Sequence, residues 1–214
     1  MSVGPYVGLN LGASAGDDQG AVAENRQLLA RQLGAPVCWL DQVHGTRVVE
    51  RHADNAGDVP QADAHWTADQ SLVLAVLTAD CLPVLMVDRA RTCVAAAHAG
   101  WRGLAAGVLQ ETVAALPVPA ETLEAWIGPA ISGSCYEVGP DVRRAFPDSA
   151  TPYFVPGRGD RFWLDTAGVA AKLLEALGVS VRLSGYCTHR DQRFYSYRRD
   201  GVTGRQASFV QRPA

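Results

Sequence analysis

A chain of 214 residues, 48% hydrophobic and 19% charged, with a mean hydropathy of -0.01, has the composition of a soluble globular protein able to bury a sizeable core in one domain or two small ones. Its net charge of -3 and pI near 5.9 exclude the basic face that sequence-independent nucleic-acid binding requires, and no apolar run approaches the length of a membrane span. Five scattered cysteines without CxxC spacing argue against a disulfide framework, and the start MSVGPYVGLN has no export signal, so a reducing, cytoplasmic setting is expected.

The first element is a helix over 21–33, where Val22, Leu29 and Leu33 recur at helical spacing behind Asp17 and Asp18, and Gly34 supplies the stop. VCWL at 37–40 reads as a strand. The runs SLVLAVL at 71–77, LPVLMVD at 82–88 and TCVAAA at 92–97 are short and nearly continuous, as in strands buried on both faces. RGLAAGVLQETVAAL at 102–116 reads as one helix closed by Pro117 and Pro119, followed by a strand at 123–128. A short helix from Pro140 to Phe146 comes next, then TPYFVPGRGDR at 151–161, which is too short for a domain linker. Asp165 is the N-cap of a helix that Gly178 ends, with Leu164 and Val169 at staple positions. Runs at 179–184, 193–199 and 205–211 read as the last strands. Strands and helices mix without strict alternation, which predicts a single layered α+β domain over 1–214 with a mixed β-sheet flanked by helices.

Chemistry concentrates in three places. Cys81 lies between two apolar strand patterns in TADCLPV, beside Asp80 and close to Pro83, which suggests a strand break presenting a side chain. His98 follows three alanines and precedes Ala99 and Gly100, small residues that let a ligand approach. His44 sits just past an apolar run in LDQVHGTRVVE. A thiolate and two imidazoles suit a borderline-soft divalent ion, and three protein ligands leave the fourth position of a catalytic zinc site open.

Several multi-residue motifs lie in one order: QVHG at 42–45, TADCLPV at 78–84, AAHAGWRG at 96–103, IGPAI at 127–131, CYEVG at 135–139, then FYSYRRD and TGRQASF. Together they make the chain resemble the YfiH-like family over nearly its whole length. Long described as multicopper polyphenol oxidases or laccase-like, its members are now read as purine nucleoside phosphorylases with adenosine deaminase side activity. The resemblance implies zinc on His44, Cys81 and His98, and a purine nucleoside and phosphate as substrates. One departure is at the front. Relatives usually begin with a further strand and a Thr-Arg-x-Gly-Gly type turn before the segment matching GPYVGLNLG; this sequence starts roughly where that turn should end, so either its true start lies upstream or an edge strand and an active-site arginine are absent.

Other residues admit two readings. Arg102, opening a helix pattern in GWRG, is an anion ligand or a surface arginine. Arg198, Arg199 and Arg205, with Phe194, Tyr195 and Tyr197, read as a half-buried strand or as part of a phosphate and purine pocket. With 18 arginines and one lysine, any anion site here is built from guanidinium groups. Cys93, an odd number of residues from His98, points to the opposite face and belongs to the core, as does Cys38. Cys135 and Cys187 are candidate neighbours of the site, Glu137 and Asp191 weak acid–base candidates, and His52 and His65 surface residues.

These features favour zinc-dependent phosphorolysis, in which phosphate displaces the purine from C1′ of ribose, with the same site able to deaminate adenosine. The alternatives are a Cys–His hydrolase with Cys81 as nucleophile, a copper-loaded polyphenol oxidase and a metal-stabilised binding module. Copper outcompetes zinc for such ligands, so it is expected as an adventitious metal, and five histidines are too few for a multicopper oxidase.

Overall fold

The computed structural model describes residues 1–213. The elements run α1 (Gln19–Leu33), β1 (Val37–Cys38), β2 (Val48–Glu50), β3 (Ala64–Thr67), β4 (Val73–Thr78), β5 (Leu82–Asp88) and β6 (Val94–Ala99). They continue with α2 (Trp101–Ala106), α3 (Val108–Ala115), β7 (Leu123–Ile127), β8 (Glu137–Val138), α4 (Pro140–Ala145) and β9 (Phe154–Pro156). The chain closes with β10 (Phe162–Leu164), α5 (Thr166–Ala176), β11 (Ser180–Leu183), α6 (Tyr197–Asp200) and β12 (Gln206–Gln211).

A six-stranded sheet in the order β11-β7-β5-β6-β3-β2 forms the centre. It is mixed: β5 runs antiparallel to β6 and β7, whereas β2 is parallel to β3 and β11 to β7. A second sheet, β1-β4-β12, covers one face, and a small antiparallel sheet, β8-β10-β9, flanks the fold. This is the α+β architecture of mixed sheets flanked by helices that the sequence predicts.

Strand β6 is buried along its whole length because both of its faces are covered. Ala95, Ala97 and Ala99 pack with Leu104, Val108 and Leu109 of α2 and α3, while Val94 and Ala96 pack with Cys38, Leu74 and Val76 of the second sheet. Each fully buried leucine contributes about 1.5–3 kcal/mol. The period-two alternation places His98 on the face turned toward the second sheet.

Asp18 caps α1 by accepting from the Ala21 N–H at 2.8 Å, and Gly34 ends the helix with φ 67°. Asp165 caps α5 through the Gly168 N–H. Among the described residues no helix is long and apolar enough to cross a membrane.

Four expectations need correction, and one holds. The helix at 102–116 is two helices, because Gly107 adopts φ 100° between them. The run at 193–199 is a turn leading into α6: the Asp191 carboxylate accepts from the Arg193 N–H and the Ser196 hydroxyl accepts from the Arg199 N–H, local bonds that compete with a strand ladder. Pro83 does not break its strand, since β5 runs from Leu82 through it; the break falls at Asp80, whose φ is 94°. His65 is not a surface residue but lies fully buried in β3. Residues 151–161 separate no domains, as expected, and contain β9 and the turn to β10.

Candidate metal centre

His44, Cys81 and His98 converge from three separate segments, and their donor atoms lie within 4.8 Å of one another. His44 comes from the loop after β1. The Gln42 side chain fastens that loop to β4, donating to the Leu77 carbonyl at 2.8 Å and accepting from the Leu77 N–H at 2.7 Å. Cys81 comes from the β4–β5 turn, and His98 from the last part of β6.

Two of the non-glycine residues with positive φ mark this site: His44 itself at 62°, and Asp80, next to Cys81, at 94°. Such conformations cost about 1–3 kcal/mol each and persist only where the surroundings fix them. For Asp80 the fixing bonds come from the Thr188 hydroxyl and the Arg198 N–H, both 2.7 Å from its carboxylate. For His44 they come from Asp63. Its fully buried carboxylate accepts the N–H groups of Val43, His44 and Gly45 at 3.1, 2.9 and 2.7 Å. The same carboxylate lies 2.8 Å from His98 Nδ1, leaving His98 Nε2 as the free donor.

Charge is redistributed within this cluster. Burial alone would push the Cys81 thiol up, but His44 and His98 outweigh it and bring its pKa down to about 6. Burial would push His98 down, but Asp63 and the Cys81 thiolate raise it to about 9. Asp63, despite burial, is held below the usual carboxylate range by His98 and the loop N–H groups.

The donor set fits a zinc-like ion. Tetrahedral bonds of about 2.0–2.3 Å place donors about 3.3–3.7 Å apart, and Cys81 Sγ lies 3.8 Å from His44 Nε2. Gly100 makes the approach possible, since a Cβ there would run into the His44 ring and come within 3.2 Å of Cys81 Sγ. At Gly103 a Cβ would lie 2.7 Å from the Gly45 carbonyl. The first turn of α2 thus closes against the His44 loop only because both positions lack a side chain.

The three side chains form part of the wall of a cavity of about 670 Å³, which also holds Arg26, Asp41, Tyr197 and Arg205. Arg26 stacks on Trp39 at 4.3 Å and donates to the Leu11 carbonyl; Arg205 donates to the carbonyls of Thr203 and Gly204. A second cavity of similar size, about 660 Å³, has a largely apolar wall including Ile127, Trp163 and Tyr186.

The remaining predicted residues fall into two groups. Tyr197 and Arg205 join the cavity wall. Arg102, Arg198 and Arg199 do not line it. The Arg102 guanidinium lies over the Trp101 ring at 4.3 Å, and Arg198 stacks on Tyr136 at 4.9 Å while donating to the Glu137 carbonyl. Arg199 is committed to the carbonyls of Thr188 and Phe194 and to the Asp200 carboxylate. Asp191 is clamped by Arg193, which holds its pKa near 2, and Glu137 accepts from the Arg158 N–H.

Cys38 and Cys93 are core residues, and burial with the nearby Asp88 charge pushes Cys93 up to about 11. Cys187 and Cys135 sit away from the cavity wall: Cys187 takes bonds from the Ser132 hydroxyl and N–H, and Cys135 contacts Arg190. His52 is exposed, as expected.

Sequence reasoning missed Asp63, Arg26, Asp41 and Tyr136. Asp63 carried only a faint signal, a lone carboxylate between two alanines in QADAHWT. Tyr136 stood in the CYEVG motif; its phenol, buried and facing the Cys81 charge, is pushed up to about 12. Nothing distinguished Arg26 from a solvated helix residue.

Fold and site together define an α+β protein with an open Cys–His–His centre in the wall of a small-molecule-sized cavity. Over residues 1–213 the chain belongs to the family described as multi-copper polyphenol oxidoreductase laccase. It is 49% identical to a Pseudomonas aeruginosa protein and 45% identical to the YfiH protein of Escherichia coli, both named purine nucleoside phosphorylase. Each alignment takes in 98% of this chain and 88% of the relative. The crystal structure of the Neisseria meningitidis protein NMB0706 superposes with a TM-score of 0.96 at 46% identity, over 100% of this chain and 90% of that one. The YfiH structure from Bacillus licheniformis gives 0.94 at 29% identity, over 100% and 89%.

Proposed function

We propose that this protein is a zinc-dependent purine nucleoside phosphorylase, with His44, Cys81 and His98 as metal ligands. The observation that carries the reading is the convergence of an open three-donor centre and two arginines in one cavity. The names of the relatives at 45–49% identity support the same class of substrate.

In this reading phosphate enters beside Arg205 and Arg26, whose guanidinium groups offset its charge, and its oxygen bonds to C1′ of the ribose as the C1′–N9 bond breaks. The products are ribose 1-phosphate and the free base, with a proton delivered to the departing purine. Tyr197 offers the base a face to stack on, and Asp41 accepts from ribose hydroxyls. A bound zinc supplies Lewis acidity toward a substrate oxygen or water, and adenosine deamination belongs to the same chemistry as a side activity.

The test is base release from adenosine and inosine by zinc-loaded protein, with and without phosphate. Phosphate-dependent release that disappears on chelation supports the assignment; release indifferent to both rules it out.

A second reading draws on the lowered Cys81 thiol and the Asp63–His98 pair, which together resemble the parts of a Cys–His hydrolase. It predicts activity that survives chelation and is lost on thiol alkylation.

A further inference from the structure

The Asp63 side chain hydrogen-bonds to both histidine-bearing segments of the centre. It is fully buried and accepts from four donors, three on the His44 loop and one on the His98 ring. Its main-chain carbonyl adds a fifth bond, from the His98 N–H at 2.7 Å. Gripping one partner would be ordinary satisfaction of a buried carboxylate. Gripping both, through ring and backbone, links the position of one donor to that of the other.

We infer that Asp63 is a positioning residue that organises the metal centre before an ion arrives, by holding His44 in its left-handed conformation and keeping the His98 Nδ1–H on its own carboxylate, so that Nε2 is the nitrogen turned toward the ion. The inference rests on the metal-centre reading above.

The physical argument has two parts. A left-handed histidine backbone is unfavourable by itself, and three successive N–H groups directed at one anion are what offset that cost. An imidazole offers a metal only the nitrogen that does not carry the proton, so the acceptor on the other nitrogen decides which donor is presented. A single carboxylate meets both requirements because its two oxygens face different segments: Oδ2 takes the Val43 and Gly45 N–H groups, and Oδ1 takes His98 and the His44 N–H. An asparagine cannot replace it. Its amide group would turn a donor toward N–H groups on one side or toward the His98 Nδ1–H on the other.

The experiment measures zinc affinity by competition with a chromophoric chelator, for the wild type and for Asp63→Asn, with thermal unfolding of both metal-free proteins. Positioning predicts a loss of about 10–100-fold in affinity in a variant that still unfolds cooperatively. Affinity within twofold of wild type overturns the inference while leaving the metal centre standing. Wild-type protein with no zinc affinity overturns the metal reading and this inference together.

Nitrogen-15 spectra of the histidine rings in zinc-loaded wild type provide a second readout that needs no variant. A proton on His98 Nδ1 with metal on Nε2 supports the assignment; the reverse tautomer overturns it. If Asp63→Asn does not fold, these spectra decide.

Discussion

Two buried histidines on paired strands show opposite behaviour. His98 in β6 and His65 in β3 share one face of the central sheet, because His65 lies opposite Ala96, two residues from His98. Both are almost fully buried. Burial depresses the charged form of each, yet His98 is raised to about 9 and His65 lowered to about 3. The difference lies in the neighbours. His98 faces the Asp63 carboxylate and the Cys81 thiolate, whereas His65 faces the cation of Arg51, and neither of its ring nitrogens finds a hydrogen-bond partner among the described residues. Depth alone does not set the charge of a histidine; the groups beside it do.

The sharpest way to break the contrast is to remove His98, the proposed metal ligand. His98→Ala is expected to abolish zinc retention and lower kcat/KM for base release by about 10³-fold, since metal polarisation contributes several kcal/mol. Metal analysis after dialysis and steady-state assays read the two effects. Near wild-type activity in a zinc-free variant would undo the assignment.

The other histidine should matter for acid stability only. Between pH 6.5 and about 3 the unfolded chain takes up a proton at position 65 that the native protein refuses, so stability falls as pH drops through that window. At pH 5 the loss is about 2 kcal/mol. His65→Leu is expected to flatten this part of the pH dependence, seen by urea unfolding at pH 7 and pH 5, with base release at pH 7 unchanged. Equal slopes for the two proteins would mean that His65 titrates normally.

A smaller effect is expected where the His98 surroundings are crowded rather than charged. Gly100→Ala drives a methyl group into the His44 ring and toward Cys81, and zinc affinity should fall about tenfold while the far-ultraviolet circular dichroism stays the same. Smallest of all is Arg205→Gln, which should raise the KM for phosphate severalfold and leave kcat unchanged if the guanidinium binds ground and transition states equally. A rise confined to the nucleoside KM would place phosphate elsewhere in the cavity.

Hydrophobic patterning located β4, β5 and β6 because strands covered on both faces must be apolar throughout, and β7 because Leu123, Ala125 and Ile127 alternate inward. It missed β2 and β3, whose sequences VVE and AHWT are too short and mixed to show a period. It also merged α2 with α3, because Gly107 is tolerated inside a helical pattern and only its φ reveals the break. The same weakness explains His65: with no motif around it the residue reads as exposed, and only the strands on either side bury it.

The sequence alone determined the α+β class, the helix cap at Asp165, and the candidate donors His44, Cys81 and His98, because ligand chemistry and local propensity are written in residue type and spacing. The tertiary structure decided what surrounds those donors. Asp63 lies 35 residues from His98 and meets it only through strand pairing. Arg205 reaches the cavity because β12 pairs with β4, and Arg199, adjacent in sequence to Arg198, is drawn into loop carbonyls instead. Electrostatic environment depends on distances through space, and those are set by packing rather than by order along the chain.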